Sequence, residues 1–196
     1  MYSMADFFRP LDPFSKEPDW AVKDFPDLGY SLSLRPVYIP DDLRSLQRWV
    51  RAPATSINTA DSRNQGRLLR QYKRILFSSR CQSFIVLNGE NPVCQFDLRG
   101  TETDPLYFLL PTRPDDRLLT CLIPAVSLNS KIWMKGLTLL LEIFFGLPDS
   151  GYIFISAPRY PRVFTDDLET LGFESYREIE EMDPQAILLL KRNEYE

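Results

Sequence analysis

Histidine is absent from the 196 residues, and this one gap excludes a large share of enzyme chemistry. Without imidazole there is no Ser-His-Asp or Cys-His pair, no imidazole-built zinc site, and no side chain whose ordinary pKa lies near neutral. Cysteine is sparse: Cys81, Cys94 and Cys121 stand far apart, with no C-x-x-C pair. An odd count at such spacing suits free thiols in a reducing cytoplasm and fits neither a disulfide framework nor a metal cage. No metal is expected. A long greasy run is also missing, since residues 132–147 carry Lys135 and Glu142 and fall short of the roughly 20 residues that span a bilayer. The opening "MYSMADFFRPLDPF" has no basic stretch leading into an apolar core, so neither a leader peptide nor a membrane partner is expected. A formal net charge of −4 argues against nonspecific nucleic-acid binding, which needs a basic footprint. One local exception is "RLLRQYKR" at 67–74, which could hold an anion but reads most simply as a solvated helix face. The expectation is a cytoplasmic chain without a nucleic-acid partner.

What is present reads as one α/β domain. Apolar residues at 44% and charged residues at 26% are ordinary for a globular protein. Residues 1–29 mix prolines with Phe7, Phe8, Phe14, Trp20 and Phe25; they read as an extended arm laid on the domain or on a partner, because such aromatics are costly to expose. The domain proper is expected over 30–196. "SLSLRPV" alternates, putting Leu32 and Leu34 on one strand face. Pro40-Asp41-Asp42 starts a helix that carries Leu43, Leu46, Trp49 and Val50 at helical spacing. A second helix is expected over 63–77, with Leu68, Leu69, Tyr72, Ile75 and Leu76 inward. A hairpin follows, with strands 83–87 and 92–98 joined through Asn88-Gly89. Residues 105–111 read as a short strand, 117–125 as a buried strand, 131–145 as a buried helix and 151–158 as a strand. A helix at 165–171 is stopped by Gly172, and a last strand covers 186–192. The resulting order predicts a mixed, mostly antiparallel sheet with helices on both faces.

The stretch "CLIPAVSLNSKIWMKGL" is the most suggestive. A strand runs into a polar hinge at 127–131 and then into a helix, and such turns point a helix N-terminus at something negative, often a phosphate. The hinge lacks the glycines that let a phosphate approach the backbone closely.

The element order is similar to that of the Gcn5-related N-acetyltransferases, and several stretches resemble their siderophore-biosynthesis, hydroxylysine-acylating branch. Arg35-Pro36, Asp42-Leu43 and Arg48-Trp49 resemble the branch's opening, "TCLIPAVSLNSKIW" its central strand and loop, "SAPR" with "LETLGFESYREIE" its later turn, and "AILLLKR" its closing strand. The resemblance implies acyl-coenzyme A, acetyl or longer, as co-substrate. Its pantetheine would pair with the strand edge at Leu122, Ile123 and Ala125, and its diphosphate would sit on the amides of Asn129, Ser130 and Lys131. It further implies transfer of the acyl group to an amine or hydroxylamine of a small molecule. A homodimer is among the assemblies such a chain could form.

Against that pattern the chain departs in three places. Ser130-Lys131 replaces glycine followed by a basic residue, and Gly136, inside the following helix, reads as a packing glycine. Thr120 occupies the place of the branch's histidine base, and Tyr160-Pro161-Arg162 that of its acid and asparagine. The remaining catalytic candidates are Tyr160, placed to protonate a leaving thiolate, with Thr120 and Asp97. Tyr107 could flank the acceptor cleft and Cys121 could take up an acyl group, although a core thiol is the simpler reading of the latter. A catalytically silent binding or scaffold domain is the competing expectation, with the 131–147 helix, the arm and Trp133 as partner surfaces.

Overall fold

Eight strands join in one sheet, ordered β1-β2-β3-β4-β5-β6-β8-β7, in a computed structural model that describes residues 3–26, 29–51, 65–103, 112–156, 162–179 and 185–190. In chain order the elements are α1 (Met4–Phe7), β1 (Ala21–Phe25), β2 (Tyr30–Pro36), α2 (Ile39–Arg51), α3 (Gln65–Leu76), β3 (Cys81–Asn88) and β4 (Asn91–Gly100). There follow β5 (Arg117–Leu122), α4 (Ala125–Ser130), α5 (Ile132–Phe145), β6 (Ile153–Ser156), α6 (Arg162–Thr170), β7 (Glu174–Ile179) and β8 (Gln185–Leu190). Every neighbouring pair of strands is antiparallel except β5 and β6, which run parallel. The expected mixed, mostly antiparallel sheet is therefore observed. The expected strand at 105–111 lies outside the described residues.

The period-two pattern splits the core between the two sheet faces. Leu32, Leu34, Phe84, Val86, Cys94, Phe96, Leu98, Leu119 and Cys121 pack against α5 and α6 through Leu137, Leu140, Phe144, Phe164 and Leu168. On the other face Ile85, Leu87 and Leu122 meet Leu46, Trp49, Leu68, Tyr72 and Leu76 of α2 and α3. The arm contributes to the first cluster. Phe7 is fully buried with its ring 5.1 Å from Trp20 and 5.2 Å from Phe84, and the Trp20 amide donates to the Leu34 carbonyl at 2.7 Å. Phe14 stays about half exposed, at 49%, with the Lys73 ammonium over its ring.

Two strands emerge that the pattern did not announce. β1 lengthens the sheet beyond β2, with its inward Lys23 bonded to Glu142 of α5. β7, whose Glu174, Ser175 and Tyr176 are exposed, forms the far edge. Both are edge strands, where polar side chains are tolerated on both faces and alternation fades.

A buried fork joins β2 to α2. Arg35 reaches Asp42 through two bonds of 2.8 and 2.9 Å, both side chains are nearly inaccessible, and the Tyr38 amide donates to the same carboxylate at 2.7 Å. The Arg-Pro and Asp-Leu stretches are thus two halves of one joint.

Gly136 does pack as expected: a Cβ built there would lie 2.9 Å from both Val86 methyls, so α5 rests directly on the sheet. Gly136→Ala should gain about 1 kcal/mol of helix propensity yet lose about 1–3 kcal/mol to overpacking. A net loss near 1 kcal/mol is therefore expected, reversing in sign on a Val86→Ala background. Urea midpoints of the four-member cycle check it, and unchanged cost in that background would rule out the contact as cause.

Candidate active site

On the α2–α3 face of the sheet, polar side chains gather on strands that are otherwise apolar. Ser83 of β3, Asp97 of β4 and Thr120 of β5 are opposite one another in register, so all three project to the same side. The Gln95 amide links the first two, its Nε2 donating to Ser83 Oγ at 2.9 Å and to Asp97 Oδ1, while its Oε1 accepts from the Tyr72 hydroxyl of α3. Arg99 Nη2 donates to Thr120 Oγ1 at 3.0 Å, which leaves the threonine O–H available to donate. Burial pushes the Asp97 carboxyl above its usual range; the Ser83 hydroxyl, the Arg99 charge and the Gln95 amide pull it part of the way back. A half-buried carboxylate with a raised pKa is suited to accepting a proton closer to neutral pH.

This patch lies at the end of the described β5–β6 pairing. β5 and β6 pair at Arg117↔Ile153, Leu118↔Phe154 and Leu119↔Ile155. β5 then continues through Thr120, Cys121 and Leu122, which pair with β4. β6 meanwhile goes on to Ser156, which pairs with Ile187 of β8. Leu119↔Ile155 is thus the last β5–β6 pair among the described residues, and Thr120, the next residue along β5, stands directly opposite Asp97.

The hinge differs from the expected loop. Ala125, Asn129 and Ser130 belong to α4, a six-residue helix with Pro124 at its N-cap. The helical ladder takes up the Asn129 and Ser130 amides, so they are not the exposed donors the loop reading required. The left-handed residue is Lys131, at φ 57°, and not Ser130. By helix geometry the amides of Ile132 and Trp133 have no acceptor inside α5, so the donors move one turn later than expected. Lys131 Nζ sits 2.7 Å from Asp167 Oδ1 of α6, and the aspartate side chain is almost wholly buried.

Of the sequence candidates, the structure brings Asp97 and Thr120 together and places Leu122 at the end of β5, with Ile123 just past it. Tyr160 and Tyr107 lie outside the described residues. Cys121 faces the opposite way, buried beside Cys94 in the α5-side core, and burial holds its thiol well above the ordinary range, so it is no acyl acceptor. Trp133 is no partner surface either: it is fully buried and stacked on Phe164 at 4.7 Å. Sequence reading missed Ser83, Gln95, Arg99, Tyr72 and Asp167. The first three had a signal in the i, i+2 polar positions of "CQFDLR" and "CQSF".

No family model matches the sequence, and no curated protein does. Among solved structures, the chain is similar to an uncharacterised protein from Bacillus halodurans, at 17% identity and TM-score 0.74 over 86% of this chain and 88% of that one. It is similar as well to the aminoglycoside acetyltransferase AAC(6')-Ib in complex with coenzyme A, at 18% and 0.71 over 84% and 96%. A third is the spermidine N-acetyltransferase from Vibrio cholerae in complex with coenzyme A and spermine, at 12% and 0.68 over 84% and 97%. The fold is that of the Gcn5-related N-acetyltransferases. At these identities the likeness extends to the fold alone.

Proposed function

We propose that the chain is an acyl-coenzyme A-dependent N-acyltransferase acting on an amine or hydroxylamine of a small molecule. The polar patch at the end of the described β5–β6 pairing carries this reading, since it sets Asp97, a carboxylate with a raised pKa, opposite Thr120 in the middle of the sheet. The pantetheine amides would pair with the chain at Leu122 and Ile123, where β5 ends, and the diphosphate would meet the first amides of α5, where the helix dipole contributes about 0.3–1 kcal/mol. Asp97 takes the proton of the acceptor ammonium. The freed lone pair then attacks the thioester carbonyl and a C–N bond forms; as the C–S bond breaks, the nitrogen releases its second proton to solvent and the thiolate is protonated. Tyr160 is assigned this last proton by resemblance. A hydroxylamine acceptor needs less help from a base, which accords with the missing histidine and with the siderophore-branch stretches. Positioning supplies the rest.

The second reading, a silent binding domain, draws on Lys131 being tied to Asp167. One titration separates the two. Acetyl-coenzyme A at about 100 times its dissociation constant should stabilise the protein by about 2.7 kcal/mol, raising the melting midpoint by roughly 5–10 °C. No shift with acetyl-, succinyl- or long-chain acyl-coenzyme A would sink the transferase reading. A shift without turnover on polyamines, lysine or hydroxylysine would leave the binding domain.

A further inference from the structure

Charge is segregated along this chain. Residues 43–89 carry nine of its 23 basic residues and one of its 27 acidic ones, Asp61, leaving the remainder at a formal −12. The helices of that segment put arginines on the solvent side: Arg44 and Arg48 on α2, one turn apart, and Arg67, Arg70 and Arg74 on α3, spaced i, i+3, i+7 and all exposed. That spacing makes a row about 10 Å long on α3. Both helices cover the same sheet face and pack against each other. Among the described residues, no carboxylate lies within ion-pairing distance of Arg44, Arg48, Arg70 or Arg74. In an acidic protein, four exposed arginines that find no internal acid are guanidinium forks turned outward, matched to planar carboxylates or phosphates.

We propose that the α2–α3 face docks an acidic polypeptide surface. The choice of a polypeptide over a nucleic acid comes from the surroundings. A cleft at the N-terminal end of α2 is lined by Asp19 and Glu90, with Glu17 and Asp41 already paired to Arg9 and Lys16, and outside 43–89 the chain carries a formal −12. A long polyanion laid on the arginines would run into that rim, whereas a partner whose carboxylates are confined to a matching patch would not. This inference does not depend on the acyl-transfer reading.

Anisotropy of the full chain with a fluorescein-labelled oligoglutamate, and with a single-stranded oligonucleotide of equal charge, tests it. The oligoglutamate should bind at low ionic strength, more tightly than the oligonucleotide, and weaken steeply with salt. Arg70→Glu/Arg74→Glu should cut its affinity at least about tenfold, Arg48→Gln less, and Lys135→Glu, on the other side of the sheet, not at all, with melting curves confirming that each variant is folded. Absent oligoglutamate binding, tighter oligonucleotide binding, or unchanged affinity in the double variant would each overturn the proposal.

Discussion

Asp42→Ala lowers the unfolding free energy by about 3–5 kcal/mol and the melting midpoint by roughly 10 °C. Asp42 holds both forks of the buried Arg35 guanidinium and the Tyr38 amide. Truncation strands a cation that is 3% exposed without its counter-charge. The effect reaches the polar patch, because α2 packs with α3 in the cluster that holds Tyr72, and Tyr72 bonds Gln95 beside Asp97. The joint serves register more than stability: Arg35→Met/Asp42→Leu should recover most of the loss, since apolar groups of similar volume often replace a buried pair without cost. Chemical denaturation of the two single variants and the double variant measures this. A cost below about 1 kcal/mol for Asp42→Ala, as at an exposed ion pair, would mean the fork is ornamental.

The sheet was legible where one strand face is buried and the other is not. "SLSLRPV" and the Asn88-Gly89 hairpin showed themselves through alternation and through glycine at a left-handed turn, Gly89 at φ 58°. β1 and β7 hid because an edge strand can carry lysine or glutamate on either face. The hinge misled for a different reason. Ser127, Asn129 and Ser130 look like a loop, but Ser127 Oγ donates to the Val93 carbonyl at 2.6 Å, so this polar side chain is bonded inside the protein while the backbone stays helical. Left-handed backbone is signalled in sequence by glycine, or by asparagine; a lysine there gives no notice, and Lys131 became visible only with Asp167 across from it. Asp97 stood out as a lone acid on a strand. Gln95 lies two residues away on the same strand, whereas Ser83 and Tyr72 are brought in by strand register and the docking of α3, which the sequence pattern does not spell out.

Asp97→Asn tests the chemistry most severely. Turnover should fall by about 10²–10⁴-fold, the range that a positioned general base supplies, while acetyl-coenzyme A binding, which draws on the end of β5 and the α5 amides, stays unchanged. The fall should be smaller for a hydroxylamine acceptor than for an alkylamine, whose ammonium must first lose its proton. Because burial raises the folded-state pKa of Asp97, wild-type kcat/KM should climb with pH through a value above the ordinary carboxylate range, and the asparagine variant should lack that limb. Stability carries the same signature with the opposite consequence. A raised acid binds its proton more tightly folded than unfolded, so its favourable contribution is full below the unfolded pKa and is lost as pH rises through the folded one. At neutral pH the wild type therefore bears the cost of a buried charge that asparagine avoids, and the stability difference between variant and wild type should grow across that window. Activity within a few-fold of wild type, with the acidic limb of the profile intact, would remove Asp97 from the reaction and hand the proton to another group.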